Sequence, residues 1–164
     1  MRRKPDWQLW EEEMAQRVGG GLVKASGRLT GYKGDVKTSD VLIDCKHTST
    51  QRYTLSAKMW KSVSDWAMNE MRVPMVAVKI EDAQSGEARE VGIMRHRDFR
   101  ELWEANERVH DSYAVCDRGI RMSLGISRKT VLPLTACMAM GAWSEEVLAM
   151  ELGYMLRMVG LDED

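Results

Sequence analysis

One strand near the N-terminus constrains the fold more than any other part of the chain. Residues 41–46 alternate with a period of two, so one face of the predicted strand is apolar and the other carries Asp44 and Lys46. A surface hairpin with scattered charges is the simpler alternative. The clean separation of an apolar face from a face that holds both an acid and an amine argues against it.

The residues before this strand predict its partner in a β-hairpin. If residues 35–37 form the partner and Ser39-Asp40 forms a two-residue turn, Asp35 lies directly opposite Asp44. Side chains paired in this way have Cβ atoms roughly 5 Å apart. Ser-Asp is not a favoured pair for such a turn, so a longer loop with a shifted register is the alternative.

Two acids at this distance suit a divalent cation. Without one they repel each other, whereas a shared Mg²⁺, or Mn²⁺ in its place, removes that penalty. Mg²⁺ also polarises a phosphate oxygen and lowers the pKa of an attacking water. Lys46 adds positive charge where a phosphodiester accumulates negative charge during hydrolysis. The hairpin therefore predicts a metal-dependent phosphodiesterase site built on Asp35, Asp44 and Lys46, with the carbonyl of Cys45 as a further ligand.

A third acid is expected from the helix predicted over residues 7–18. Glu11 lies on the apolar stripe of this helix, whereas Glu12 and Glu13 are rotated away from it. A carboxylate that faces the core is costly unless it is paired or bound to metal, which makes Glu11 a candidate ligand. The alternative is that all three glutamates face solvent. The stripe consists of Trp7, Trp10, Met14 and Val18.

Short motifs follow one another in a fixed order along residues 7–100. They are an acidic helix, Ser26-Gly27, Gly34-Asp35, an apolar strand ending in Asp44-Cys45-Lys46, Thr48, a long helix and a Val-rich strand. This order resembles the PD-(D/E)xK nuclease superfamily and, within it, the Holliday-junction-resolvase-like nucleases of archaea and phages. Trp10-Glu11 followed by Met14-Ala15 matches the helix pattern of that family, which supports Glu11 independently of the periodicity.

The chain departs from the family pattern in two places and is unaligned in a third. Gly34, rather than proline, precedes Asp35, and the spacing from Asp35 to Asp44 is compact. The last 40 or so residues do not align with the family. The resemblance therefore bears on the N-terminal and central parts of the chain.

The resemblance implies a restriction-endonuclease-like α/β fold with a mixed central β-sheet flanked by helices. It also implies Mg²⁺-dependent endonuclease activity in DNA recombination or repair, in which Glu11, Asp35, Asp44 and Lys46 are catalytic and the cut leaves a 5′-phosphate and a 3′-hydroxyl. The implied substrate is branched DNA. Two symmetric cuts at a four-way junction require two active sites, so a homodimer is expected, with no small-molecule cofactor.

The distribution of charge favours DNA as the partner, although the net charge is only −1. Residues 1–61 carry 12 Lys and Arg against 7 Asp and Glu, whereas residues 62–164 carry 12 against 18. DNA affinity depends largely on such local basic regions. The basic residues 2–4 are equally consistent with a solvated tail. The side chains expected to contact DNA are those of Arg2, Arg3, Lys4, Ser26, Arg28, Lys33, His47 and Thr48.

The rest of the chain is interpreted as scaffold of a single domain over residues 1–164, with its core at about 7–110. A C-terminal helical extension is predicted over about 128–160, and the apolar stripe within 148–159 is a candidate dimer interface. The alternative is that this helix covers the sheet of its own subunit. Further helices are predicted over residues 55–71 and 96–109, and strands over 75–80, 89–94 and 120–126.

Cysteine usage and hydropathy indicate the compartment. Cys45, Cys116 and Cys137 are widely separated and odd in number, which argues against a disulfide framework or a zinc site. No apolar run approaches the length needed to span a membrane, and no signal-peptide pattern is visible. These features favour the reducing cytoplasm of a bacterial, archaeal or phage-infected cell, with no membrane partner.

Two other functions are compatible with the motifs. One is a repair or restriction nuclease of the same superfamily that acts on linear duplex, because substrate choice depends on loops and oligomer geometry. The other is a DNA-binding module that keeps the fold without catalysis. The complete set of acids and lysine argues against the second, because acids that repel phosphate weaken simple binding.

Overall fold

A mixed β-sheet flanked by helices organises the residues that the computed structural model describes, which are 4–23, 34–50, 52–106, 115–117, 123–125, 136–139 and 147–162. The helices are α1 (Asp6–Arg17), α2 (Ala57–Asn69), α3 (His96–Ala105) and α4 (Leu152–Met158). The strands are β1 (Gly21–Leu22), β2 (Val36–Lys37), β3 (Val41–Thr48), β4 (Arg52–Thr54), β5 (Val73–Glu81), β6 (Ala88–Arg95), β7 (Val115–Asp117), β8 (Ser123–Gly125), β9 (Ala136–Ala139) and β10 (Val147–Glu151).

The main sheet of the described residues contains eight strands in the order β1-β2-β3-β5-β6-β10-β9-β7, and β4 and β8 form a separate pair. The pairs β3–β5 and β7–β9 are parallel, and the other neighbours in the main sheet are antiparallel. The predicted α/β class with a mixed sheet flanked by helices is therefore confirmed, and the architecture is consistent with a restriction-endonuclease-like fold.

The parallel pair β3–β5 forms the centre of the fold because its residues are buried over most of their length. Parallel neighbours require a crossover, which α2 provides. The side chain of Ser56 caps α2 by accepting a hydrogen bond of 3.2 Å from the backbone N–H of Met59.

Helices α1 and α2 pack against opposite faces of this pair. Trp10 and Met14 of α1 lie in one buried cluster with Ile43 and Cys45, and the indole N–H of Trp10 donates to the carbonyl of Ala77 at 3.3 Å. Helix α2 covers the other cluster, which includes Trp60, Val63, Val76, Val78 and Ile80. Because successive residues of β3 alternate between these faces, the sheet separates the environment of Cys45 from that of its two neighbours.

The predicted C-terminal helix is wrong in its first half. Val147–Glu151 is a strand that pairs with both β6 and β9, and only Leu152–Met158 is helical. Residues 147–150 are all fully buried. A short apolar run that is buried on both faces carries no periodicity, so it cannot be distinguished from a buried helix by pattern. The C-terminal segment thus contributes a strand inside the sheet rather than a helical extension.

The candidate dimer interface on this segment is also wrong. Leu148, Leu152, Met155 and Leu156 are fully buried against their own subunit. The alternative interpretation, in which this region covers the subunit's own sheet, is the correct one. Homodimer formation itself stays a prediction, and this stripe is not available for it.

The predicted apolar stripe of α1 also needs one correction. Trp10, Met14 and Val18 are buried as expected, but Trp7 is 50% exposed. Trp7 lies on the expected side of the helix, one turn before Trp10, where it borders an open pocket instead of the sheet. In the described part of the chain, no helix is both long and apolar enough to cross a bilayer.

Candidate functional site

The predicted two-residue turn and the pairing of residues 36–38 with residues 41–43 are confirmed. Strands β2 and β3 pair Val36 with Ile43 and Lys37 with Leu42, and the Thr38 N–H donates to the Val41 carbonyl at 3.0 Å. Asp35 lies just before the paired residues, and its N–H donates to the Ile43 carbonyl at 2.8 Å, so the predicted position directly opposite Asp44 is not part of the observed pairing. The alternative of a longer loop with a shifted register is therefore wrong.

Thr38 explains how an unfavoured Ser-Asp pair closes a two-residue turn. Its hydroxyl oxygen accepts hydrogen bonds from the backbone N–H groups of Asp40 at 3.3 Å and Val41 at 3.0 Å. Neither Ser39 nor Asp40 has a positive φ, so the turn is not of the primed types that usually join such strands. The carbonyl of Asp40 also accepts from the Val73 N–H at 2.7 Å, which ties the turn to β5.

Gly34 positions Asp35 at a point in the chain where a proline could not stand. Its φ is +98°, a conformation that proline cannot adopt, and a Cβ there would lie 2.7 Å from Cγ of Leu42. The following N–H, that of Asp35, donates to the Ile43 carbonyl at 2.8 Å. The glycine therefore lets the chain enter the hairpin tightly, with Asp35 immediately before the first paired residue, Val36.

The two aspartates are buried and have different partners. Asp35 is 8% exposed, and its Oδ2 accepts a hydrogen bond of 2.7 Å from the backbone N–H of Cys45. Asp44 is 4% exposed, and its Oδ2 lies 2.6 Å from Nζ of Lys46. An acid and an amine on the same strand face thus form a direct ion pair, as their spacing predicts.

Lys46 is held in its charged form. Burial alone would lower its pKa, but the charge of Asp44, their hydrogen bond and the charge of Asp35 together leave the pKa above its usual value. The ammonium also donates to the carbonyl of Cys45 at 3.4 Å. Its side chain is 33% exposed, so the amine remains accessible to a ligand.

Glu11 is electrostatically coupled to both aspartates. Its pKa is raised from 4.5 to about 7, first by burial and then by the charge of Asp35, with Asp44 and Glu12 adding and Lys46 opposing. A carboxyl group surrounded by other carboxylates resists ionisation because each negative charge repels the next. A nearby cation would reverse this effect.

The other two glutamates each form an ion pair with a lysine. Glu12 lies 2.8 Å from Nζ of Lys4, and Glu13 lies 3.0 Å from Nζ of Lys79. Glu11 differs from these two glutamates in its electrostatic coupling to Asp35 and Asp44, as the predicted helix phase requires. The alternative that all three glutamates are exposed to solvent is wrong, because Glu11 and Glu12 are partly buried and only Glu13 is exposed.

Cys45 can offer its backbone but not its thiol to the site. The side chain is buried in the cluster with Met14, on the face of β3 away from Asp44. Burial and the neighbouring carboxylates raise the pKa of the thiol well above its usual value, so it stays protonated. The carbonyl oxygen of Cys45 is the atom that remains suitable for a hard cation.

Tyr53 was not anticipated from the sequence. It lies on the short strand β4 and donates its hydroxyl hydrogen bond to Sδ of Met59 at 3.1 Å. Burial and the negative charge of Asp44 raise the pKa of this tyrosine. A three-residue strand gives no usable periodicity, so only the fold shows that Tyr53 lies within the field of the site.

The predicted DNA-contacting residues are only partly described. Thr48 exchanges a hydrogen bond of 2.7 Å with Thr50, and His47 Nε2 lies 3.1 Å from Oε2 of Glu81. His47 projects from the face of β3 opposite to Lys46, so the two do not face the same phosphate. Arg2, Arg3, Ser26, Arg28 and Lys33 lie outside the described residues.

The oxygen atoms available at this site are of the kind that bind Mg²⁺ or Mn²⁺. Two buried carboxylates, a third whose pKa is raised by them and one backbone carbonyl are the oxygen ligands that hard cations prefer. In their present positions, however, the described residues include no group of three or more His, Cys, Asp or Glu side chains that could hold one ion. Asp35 and Asp44 are turned toward the Cys45 N–H and Lys46 instead.

Comparisons with known proteins add no information about the function of this chain. No protein-family model matches the chain, and no curated protein matches it significantly.

Proposed function

We propose that this protein is a Mg²⁺-dependent endodeoxyribonuclease that hydrolyses phosphodiester bonds in branched DNA. The observation that carries the proposal is the clustering of two buried aspartates, Asp35 and Asp44, both electrostatically coupled to Glu11, with the amine of Lys46 2.6 Å from Asp44. Two buried acids and one charged amine at a single point are costly for stability and suit the chemistry of phosphoryl transfer.

Asp35, Asp44 and Glu11 would hold the cation, with the Cys45 carbonyl as a further ligand. When bound, Mg²⁺ supplies charge for a phosphate oxygen and a more acidic water. The raised pKa of Glu11 supports this assignment, because a carboxyl group that titrates near neutrality beside two aspartates gains most from a positive charge.

Lys46 would stabilise the scissile phosphate with its positive charge. The pKa of Lys46 lies above its usual value, so the amine is charged at neutral pH. An ion pair with Asp44 fixes its direction, and a third of the side chain is exposed. Such a fixed charge stabilises the negative charge that develops on the non-bridging oxygens during hydrolysis.

The choice of branched DNA and a homodimer follows from the family resemblance. Two symmetric cuts across a junction need two active sites related by a two-fold axis. A nuclease for linear duplex and a non-catalytic DNA-binding module are the competing proposals. Burying Asp35 and Asp44 with a lysine has no benefit in a module that only binds phosphate, which favours the enzyme.

The test is a Mg²⁺-dependent cleavage assay on a four-way junction, a fork, a linear duplex and a single strand of related sequence. We expect cleavage of the junction above that of the duplex, and loss of cleavage in EDTA. Equal cleavage of junction and duplex would favour the general nuclease, and binding without cleavage in Mg²⁺ or Mn²⁺ would favour the binding module.

Light scattering tests the dimer separately. A two-fold dimer, free or on junction DNA, supports the resolvase, whereas a strict monomer in both states would favour the general nuclease.

A further inference from the structure

Tyr53 shares one face of the sheet with the ion pair of Asp44 and Lys46. In the parallel register of β3 and β5, Asp44 lies beside Val76. Lys46 lies beside Val78 in the same register. Residues paired in this way project from the same face of a sheet. Both valines belong to the buried cluster under α2, and Tyr53 packs against that cluster. The tyrosine and the ion pair are therefore on the α2 side of the sheet.

The first turn of α2 holds Tyr53 at the end of β3 that carries Lys46. Helix α2 returns the chain from the end of β3 to the beginning of β5, so it begins at the carboxyl end of β3. The Tyr53 hydroxyl donates to Sδ of Met59, in that first turn, at 3.1 Å. Ligands of α/β sheets bind at this end of the parallel strands. A phosphate at the Lys46 amine would therefore lie at the same end of the sheet as Tyr53.

The phenol of Tyr53 is a neutral donor beside the acidic cluster. Burial and the negative charge of Asp44 raise its pKa, so the hydroxyl keeps its proton at neutral pH. The electrostatic effect of Asp44 on Tyr53 agrees with the face that the two side chains share. A protonated phenol can donate one hydrogen bond.

The present acceptor of that hydrogen bond is a weak one. A thioether sulfur such as that of Met59 is a weak acceptor. An ionised phosphate oxygen forms a charge-assisted hydrogen bond, which is roughly twice as strong as a neutral one. Tyr53 is also partly exposed, so its side chain is not enclosed by the core. The hydroxyl therefore loses little by leaving Met59 and gains more when a phosphate is present.

We propose that Tyr53 is a substrate-contacting residue of this site, whose hydroxyl leaves Met59 and donates to a non-bridging oxygen of the phosphodiester held at Lys46. This inference rests on the proposed nuclease function and adds a neutral donor on the α2 side of the phosphate. The bond would strengthen as negative charge develops on that oxygen during hydrolysis. Tyr53 would therefore contribute to the cleavage rate more than to the affinity for DNA.

The test compares Tyr53→Phe with a matched control, Met59→Leu. Phenylalanine keeps the ring and removes only the hydroxyl, whereas leucine nearly keeps the volume and removes the sulfur acceptor. Single-turnover cleavage of a four-way junction in Mg²⁺ measures the rate. Fluorescence anisotropy in EDTA measures affinity for the same junction, and circular dichroism checks that both variants fold.

Tyr53→Phe should lower the cleavage rate about tenfold to a hundredfold, the loss expected for one hydrogen bond to a charged group, and should change the affinity little. Met59→Leu should cut at least as fast as the wild type, because the hydroxyl no longer has to leave the sulfur. A wild-type rate in folded Tyr53→Phe would overturn the inference. Equal losses of rate in the two variants would also overturn it, by showing that the Tyr53–Met59 contact is only structural.

A second readout does not depend on cleavage. In protein labelled with 3-fluorotyrosine, fluorine NMR in EDTA reports on each tyrosine, and the Tyr53 resonance is the one that Tyr53→Phe removes. Junction DNA should shift this resonance. It should leave unchanged the resonance of Tyr154, which lies in the cluster on the other face of the sheet. An unshifted Tyr53 resonance at saturating DNA would overturn the inference.

The two proposals fail separately in this design. If the wild type cuts DNA and Tyr53→Phe cuts it equally fast, the Tyr53 inference fails and the nuclease stands. If no DNA is cut in Mg²⁺ or Mn²⁺ while junction DNA shifts the Tyr53 resonance, the nuclease fails and the contact of Tyr53 with DNA stands. The absence of any DNA binding would overturn both.

Discussion

Asp44 Oδ2 lies 2.6 Å from Nζ of Lys46, two residues further along the same face of β3. A second lysine–aspartate pair of equal length joins Lys61 and Asp65, but on the exposed surface of α2. The two pairs differ in burial and in neighbouring acids and not in distance. They therefore provide a matched comparison between a pair proposed for catalysis and an ordinary surface pair.

Asp44→Asn should reduce Mg²⁺-dependent cleavage by at least about a hundredfold, the loss typical of removing one group that stabilises the transition state. The fold should persist, because removing one of several clustered negative charges relieves repulsion. Asp65→Asn is the control and should cleave as the wild type, since exposed ion pairs contribute little. Circular dichroism checks folding. Wild-type turnover by folded Asp44→Asn would remove the catalytic assignment of this residue.

Lys46→Ala should lower the cleavage rate without a matching loss of affinity for junction DNA. The amine is expected to stabilise charge that develops only during hydrolysis, so the cleavage rate should fall about a hundredfold or more while junction affinity changes little. Single-turnover kinetics and anisotropy binding measure the two quantities. A fall in affinity as large as the fall in rate would show that Lys46 is only a phosphate anchor.

Glu11 predicts a pH dependence of stability. Its pKa is about 7 in the folded chain against 4.5 normally, so the folded state binds more protons between these values. The stabilisation is therefore complete below about pH 4.5 and is lost as the pH rises through about 7. Urea midpoints of the metal-free protein should fall over this range, whereas Glu11→Gln should flatten that fall.

The neighbouring glutamate supplies the control for Glu11. Glu12→Gln should change the pH profile of stability much less than Glu11→Gln does, because Glu12 pairs with Lys4 and contributes least to the raised pKa of Glu11. Glu11→Gln should also reduce cleavage far more than Glu12→Gln does. The opposite order would mean that the helix phase is wrong by one residue.

Gly34→Ala should destabilise the hairpin. At a φ of +98° an alanine is strained, and its Cβ would also lie 2.7 Å from Cγ of Leu42. We expect a loss of about 1–3 kcal/mol or more in the free energy of unfolding. Gly86→Ala is the matched control, since its φ is +71° but no atom lies within 4 Å of the added Cβ. Equal losses in the two variants would show that the Leu42 contact is unimportant.

Leu156→Ala distinguishes core from interface. Leu156 is fully buried in its own subunit, so the substitution should cost about 2–5 kcal/mol of stability and leave any dimer dissociation constant unchanged. Chemical denaturation and light scattering measure the two effects. Loss of the dimer without loss of monomer stability would contradict the placement of α4.

The hairpin and Glu11 could be predicted because their patterns are local. A period of two sets the face of Asp44 and Lys46, and a period of 3.6 sets Glu11 apart from Glu12. The closure of the turn by the Thr38 hydroxyl was not predictable, because a Ser-Asp turn alone is unfavourable. The burial of Trp7 was predicted wrongly, because helical phase gives the direction of a side chain but does not show whether a sheet lies beneath it.

The C-terminal region could not be predicted for a different reason. Residues 147–150 are apolar without alternation, and only their pairing with β6 and β9 makes them a strand. The positions of Arg2, Arg3, Ser26, Arg28 and Lys33 in any DNA interface stay predictions. Long-range pairing and DNA contact both depend on groups distant in sequence, which local periodicity does not encode.

The placement of β10 has a consequence for how the protein folds. Arg95 at the end of β6 pairs with Val147, so one edge of β6 is completed only by residues far along the chain. Until that pairing forms, β6 presents unpaired backbone N–H and carbonyl groups that attract other strands. Contacts of such long sequence separation slow folding. The hairpin that carries Asp44 is local and is expected to form early, whereas the sheet that supports it is expected to close last.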